Sequence, residues 1–164
     1  FEILRQAPHR VERLALLDCT YKADPPERQA LRNQQIDRAL QGELQALMRD
    51  ELKPNYVAEC HADNHPLLDE VLTMGLDLGV EVFVSQSKAL RDRPDSLATL
   101  AQISCPTLIV CGEEEQLCPV EVHQIMAKLI HCSTLSVIKN CGHLSTMEQP
   151  ERVSELLLQW MQEP

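Results

Sequence analysis

Aromatic residues are scarce in this chain, 3% of 164 residues, so its core has to be built mostly from aliphatic side chains. Basic charge is also in deficit. Lys+Arg number 15 against 25 Asp+Glu, and the formal net charge of −10 repels a phosphate backbone, which disfavours nucleic-acid binding. No apolar run approaches the roughly 20 residues that a membrane-spanning helix needs, and the opening FEILRQAPHR carries no secretory h-region. The expectation is a soluble, cytoplasmic protein with no membrane partner. The seven cysteines, Cys19, Cys60, Cys105, Cys111, Cys118, Cys132 and Cys141, contain no C-x-x-C pair, so neither a zinc ribbon nor a thioredoxin motif is written here. Several sit beside apolar runs, as in Ile109-Val110-Cys111, where a reduced thiol behaves as a small hydrophobe.

What remains is an ordinary globular composition, 44% apolar and 24% charged, at a length that allows one domain or one domain with a subdomain. The chain opens on Phe1 in mid-helical pattern, with Phe1, Leu4 and Ala7 at helical spacing and no capping residue ahead. A piece of a longer protein is expected. Val11 to Asp18 holds a short continuous apolar run, which reads as a strand buried on both faces, the mark of a parallel sheet. From Asp24-Pro25-Pro26 the pattern turns helical, with Ile36, Leu40, Leu44, Leu47 and Met48, and then Leu67, Val71, Leu78 and Val82, at helical spacing. Gly75 and Gly79 are weak points in the second stretch, and Arg93-Pro94 ends it. Residues 24–95 therefore read as a helical insertion between two sheet strands.

The last third alternates cleanly. Pro106 to Gly112 is a β-branched run bounded by Pro and Gly, and Pro119 is placed to open a helix carrying Val122, Ile125, Met126, Leu129 and Ile130. Ser133 to Lys139 reads as another strand, and Pro150 opens a helix with Val153, Leu156, Leu157, Trp160 and Met161 on one stripe. Strand, helix, strand, helix implies right-handed crossovers and an α/β fold of three parallel strands. In such sheets ligands gather at the carboxyl ends of the strands, so the loops after Asp18, Gly112 and Lys139 are the places for chemistry. The second carries Glu115 and the third His143. Acid then histidine, on successive strand ends, gives two members of a Ser-His-acid arrangement, in which the acid fixes the imidazole tautomer and the imidazole takes a hydroxyl proton.

The run Pro106-Thr107-Leu108-Ile109-Val110-Cys111-Gly112, with Glu115 and Pro119 following, and Cys141-Gly142-His143-Leu144 ahead of Glu148-Gln149-Pro150-Glu151, resembles the carboxyl-terminal half of an α/β-hydrolase. The similarity is to the small esterase, enol-lactonase and C–C hydrolase branch. Ala7 to Asp18 resembles the stretch that joins the helix after the nucleophile to the next strand. The resemblance implies a partial α/β-hydrolase fold, with residues 1–23 and 96–164 as core and 24–95 as helical cap. It implies His143 as catalytic base and Glu115 as its acid, a small acyl or carbonyl substrate for the complete protein, and no cofactor or metal.

The chain departs from the family pattern at the nucleophile. No two of Gly42, Gly75, Gly79, Gly112 and Gly142 bracket a serine as G-x-S-x-G, so the elbow is expected just before Phe1 and the chain alone is expected to be inactive. The acid is Glu where Asp is usual, and Asp18, at the end of the preceding strand, stands where some families place an alternative acid. Cys118 replaces a frequent Thr and weakens the cap expected ahead of Pro119. Blander readings apply elsewhere: Cys141 as a structural thiol, Ser145 as a turn or helix-entry residue, and His61 and His65 as unrelated to any metal. The alternative to a hydrolase is a non-catalytic module that associates with another chain, or with itself, through an exposed sheet edge.

Overall fold

The computed structural model describes residues 1–162. A short helix α1 (Glu2–Gln6) and a 3-10 turn (Pro8–Arg10) lead into strand β1 (Leu14–Leu17). Helix α2 (Pro26–Arg38) follows, then α3 (Leu44–Leu47), α4 (His65–Asp92) and the single-turn α5 (Leu97–Leu100). Strand β2 (Thr107–Gly112), helix α6 (Val120–Leu129), strand β3 (Ser133–Ile138), the turn-length α7 (Ser145–Glu148) and α8 (Pro150–Gln162) complete the order. The three strands are parallel and ordered β1-β2-β3, with Leu14 opposite Thr107 and Thr107 opposite Ser133. No helix among the described residues is long and apolar enough to cross a membrane.

The chain divides into two compact units. Phe1–Tyr21, Tyr56–His61 and Ser96–Pro164 form the sheet unit, and Lys22–Asn55 with Ala62–Asp95 form the helical unit. The segment Tyr56–His61, expected within the insertion, thus packs with the sheet.

In the sheet unit, β2 lies between the other two strands and every one of its residues is buried. Its side chains alternate between two aliphatic layers. Ile109 joins Leu16, Leu100, Val122, Met126 and Ile130 on one face, while Leu108 and Val110 join Ile138, Cys141, Val153 and Leu156 on the other. β1 departs from the expectation of burial on both faces: Leu16 is buried and Leu14, Ala15 and Leu17 are half-buried. β1 coincides with the continuous apolar stretch Leu14–Leu17, and the charged Glu12 and Arg13 lie ahead of it. Pro119 is itself the N-cap of α6, which begins at Val120 with no side-chain cap, so the Cys118 position is not the cap that sequence spacing suggested.

In the helical unit the expected weak points divide. Gly79 has φ 78° and breaks α4, whereas Gly75 stays helical and lies against Met48, where a Cβ would intrude. Gly42 also adopts a positive φ, 92°, within a π-type stretch between α2 and α3. The buried carboxylate of Asp24 is held by Arg32 and Arg93, the latter at 2.8 Å. An unpaired buried charge is costly, so this pairing is what allows the carboxylate below the surface.

Candidate active site

The three strands end on one side, and the loops leaving them carry the polar residues of the site. Two of those loops touch through their backbones. Glu113 N–H donates to the Ile138 carbonyl at 2.8 Å and Glu114 N–H to the Cys141 carbonyl at 2.9 Å. A Cβ on Gly112 would run into the carbonyl oxygens of Cys141 and Gly142, so glycine alone permits this approach. Gly142 is equally confined: a Cβ there would lie 2.7 Å from the backbone of Val57.

Glu115 and His143 face each other across this seam, with Nδ1 of His143 2.5 Å from Oε2 of Glu115. The Glu115 side chain is fully buried and that of His143 is 26% exposed. The second carboxylate oxygen accepts from Leu117 N–H at 2.7 Å and Cys118 N–H at 3.1 Å, which fixes the rotamer and leaves Oε2 for the histidine. Burial works to raise the pKa of Glu115, but the hydrogen bond and charge of His143, with those two amides, hold it below its ordinary value. An ionised acceptor at Nδ1 puts the ring proton on that nitrogen and leaves the Nε2 lone pair to receive a proton.

The backbone of His143 is held independently. Its N–H and that of Leu144 both donate to the Tyr56 carbonyl, at 2.9 and 3.2 Å. The buried carboxylate of Glu148 accepts from Ala58 N–H at 2.7 Å, Gly142 N–H at 2.9 Å and Leu144 N–H at 3.2 Å. One side chain thereby ties the segment Tyr56–His61 to the residues on both sides of the histidine. Glu148 appears in the sequence only as part of a pattern. Its role could have been suspected from a glutamate placed just before Pro150, where a side chain can turn back onto the preceding loop.

Asp18, the alternative acid, does not reach His143. Its carboxylate accepts from Gly112 N–H at 3.2 Å and from both the N–H (3.3 Å) and the hydroxyl of Ser145. Ser145 accordingly serves as helix entry and as an anchor. Burial pushes the pKa of Asp18 up to about 6, helped by the charge of Glu115 and opposed by Ser145 and Gly112. His123 is fully buried: Nε2 accepts from Cys19 N–H at 3.2 Å, so Nδ1 donates to the Pro119 carbonyl at 3.3 Å, and burial lowers its pKa. Burial raises the thiols of Cys111 and Cys141 to about 12, which makes them structural, as expected for Cys141. His61 lies in a 3-10 turn and His65 in the first turn of α4, so they do not share a helix face.

A pH prediction follows from Asp18. A carboxyl whose folded pKa lies above its unfolded value binds more protons folded than unfolded between the two, so stability falls as pH rises through that window. A rise from 3.8 to about 6 corresponds to about 3 kcal/mol lost between roughly pH 4 and pH 7. Urea unfolding of the chain and of Asp18→Asn at both pH values should therefore give a wild-type loss about 3 kcal/mol larger than that of the variant. Equal losses would show that Asp18 titrates normally.

Residues 3–156 match the model of the alpha/beta hydrolase family. The structure is similar to that of a thermophilic esterase from Thermogutta terrifontis, solved with malate bound, at a TM-score of 0.90 and 31% identity, covering 96% of this chain and 58% of that one. A 2-hydroxy-6-oxononadienedioate/2-hydroxy-6-oxononatrienedioate hydrolase of Pseudomonas putida is 36% identical over 72 residues, or 44% of this chain and 25% of its own length. The monoacylglycerol lipase ABHD6 of Mus musculus is 35% identical over 60 residues, or 37% of this chain and 18% of its own. The chain thus matches a quarter or less of these two curated relatives and little more than half of the solved esterase.

Proposed function

The chain belongs to the alpha/beta hydrolase family, and from that premise we propose that it supplies the base and the acid of a serine-hydrolase site acting on an ester, lactone or related carbonyl compound. The contact between Nδ1 of His143 and Oε2 of Glu115, at the ends of neighbouring strands, is the observation that carries this reading. Likeness to an esterase and to a C–C bond hydrolase supports it.

In the proposed mechanism a serine hydroxyl from residues outside this sequence attacks the carbonyl carbon while Nε2 of His143 takes its proton. The carbon–oxygen bond to the leaving group then breaks, and the same proton passes from Nε2 to the departing alkoxide. Water repeats the cycle on the acyl-serine. Glu115 stabilises the imidazolium formed in each half, through a carboxylate already ionised and hydrogen-bonded before substrate arrives. The helical unit acts as the substrate-selecting insertion of the family.

The test is hydrolysis of short-chain p-nitrophenyl esters by the product of the complete reading frame and by the 164-residue chain. The first is expected to turn over and the second to match buffer, because no G-x-S-x-G is present in it. Turnover by the 164-residue chain that disappears in His143→Ala would overturn the external nucleophile. Failure of the complete product on esters, lactones and cleavable diketones alike would overturn the hydrolase reading.

A further inference from the structure

The acid–base pair has a third neighbour that triad chemistry does not use. Ligand atoms of Glu115, Cys118 and His143 all lie within 4.8 Å of one another, and this carboxylate, thiol and imidazole come from only two loops. Glu115 and Cys118 are buried. Cys118 enters this position through the same turn that orients the acid, since its own N–H donates to Glu115.

We propose that Glu115, Cys118 and His143 form a binding site for a soft divalent cation of the Zn²⁺ class, which on capture takes the acid and the histidine out of catalysis. The donor set fits the metal. Zn²⁺ takes sulfur, nitrogen and carboxylate oxygen at about 2.0–2.3 Å in a tetrahedron, whose edges are then about 3.3–3.7 Å. The 2.5 Å contact between Nδ1 and Oε2 has to widen by somewhat under 1 Å, and the thiol, within 4.8 Å of both groups, has to draw in to about 3.5 Å. Both are side-chain rotations, which the partly exposed ring of His143 permits.

Charge balances as well. Carboxylate and thiolate offset the ion's two positive charges, so the bound cluster is neutral in a buried place where an uncompensated charge would be costly. Binding releases one proton, from the Cys118 thiol; the imidazole proton stays on the ring and moves between its nitrogens. The amides of Leu117 and Cys118 on the far oxygen of Glu115 act as an outer shell that aims the carboxylate before any ion arrives. Three protein donors leave a fourth position on the side where His143 meets solvent.

Co²⁺ reports the site without any need for activity, since thiolate ligation gives a near-ultraviolet charge-transfer band and tetrahedral geometry gives strong visible bands. Titration of the 164-residue chain should raise both at one equivalent, with Zn²⁺ displacing the colour. Cys118→Ser should abolish the charge-transfer band, and Glu115→Gln and His143→Ala should each weaken binding at least tenfold. The double variant Cys60→Ser/Cys132→Ser, which removes the two exposed thiols, should bind as the parent does. Circular dichroism confirms that each variant is folded, and Cys118→Ala serves if the serine variant is not.

A band that survives in Cys118→Ser, a band that vanishes with the exposed thiols, or no band at all would overturn the site. The inhibitory consequence rests on the hydrolase reading and is checked separately in the complete protein. Micromolar Zn²⁺ should suppress ester hydrolysis, chelator should restore it, and Cys118→Ser, normalised to its own metal-free rate, should resist. Ester turnover without a cobalt band sinks the metal site alone; a cobalt band without turnover sinks the hydrolase reading alone.

Discussion

His143→Ala in the complete protein is expected to lower kcat for ester hydrolysis by about 10⁴- to 10⁶-fold while KM changes little. The imidazole is the group in this arrangement able to carry a proton both from the nucleophile and to the leaving group, and its contribution arises in the transition state rather than in binding. Glu115→Gln should lower kcat by about 10⁴-fold for a different reason: an amide at this position can present its NH₂ to Nδ1, which favours the tautomer with the proton on the wrong nitrogen. The pair should be non-additive, with the double variant no slower than His143→Ala alone, because the acid acts through the base. Asp18→Asn is the contrasting case, since its carboxylate bonds Ser145 and Gly112 and makes no hydrogen bond to the imidazole. A loss in Asp18→Asn that matched Glu115→Gln would assign the acid wrongly here.

Glu148→Ala should destabilise the chain by about 4 kcal/mol. The buried carboxylate serves three backbone donors, those of Ala58, Gly142 and Leu144, and truncation leaves Ala58 and Gly142 without an acceptor and Leu144 with only its bond to the Tyr56 carbonyl. Each stranded buried donor costs about 1–3 kcal/mol, and hydrogen bonds to a charged acceptor lie at the stronger end. Water entering the vacated space restores part of this, which is why the expected sum stays below the upper limit. Glu148→Gln keeps one acceptor oxygen and should lose about half as much. Urea denaturation at pH 7 measures both, and a Glu148→Ala loss under 1 kcal/mol would show that the backbone bonds to Tyr56 suffice to hold the His143 loop.

The strands and the two proposed catalytic side chains were legible in the sequence for physical reasons that can be named. β2 has a neighbour on each side and a layer on each face, so Thr107 to Gly112 has no solvent-facing position to break its apolar run. Glu115 and His143 were picked out because the strand ends are marked by glycine and by polar turns, and their proposed roles came with the family resemblance. β1 matches its apolar stretch Leu14–Leu17 in extent but not in burial, since an apolar sequence does not say how completely each face of a strand is covered. The helical region was legible as helix but not in its detail. Gly75 and Gly79 look alike in sequence, and spacing does not say that Gly79 takes a positive φ or that Gly75 packs against Met48, far away in the chain. The role of Glu148 and the tie of Asp18 to Ser145 depend on hydrogen bonds between residues far apart in the chain and could not be read from spacing.

The close approach at Gly112 has a bearing on engineering. The spacing of acid and base is set there by main chain against main chain, so it acts as a fixed hinge pin that neighbouring side chains do not adjust. A mutational library aimed at new substrates can vary the exposed side chains of Glu113 and Gln116 and still inherit the same proton-transfer geometry. A library that admits even alanine at residue 112 prises the two loops apart, and its members would fail together for a reason unrelated to substrate choice.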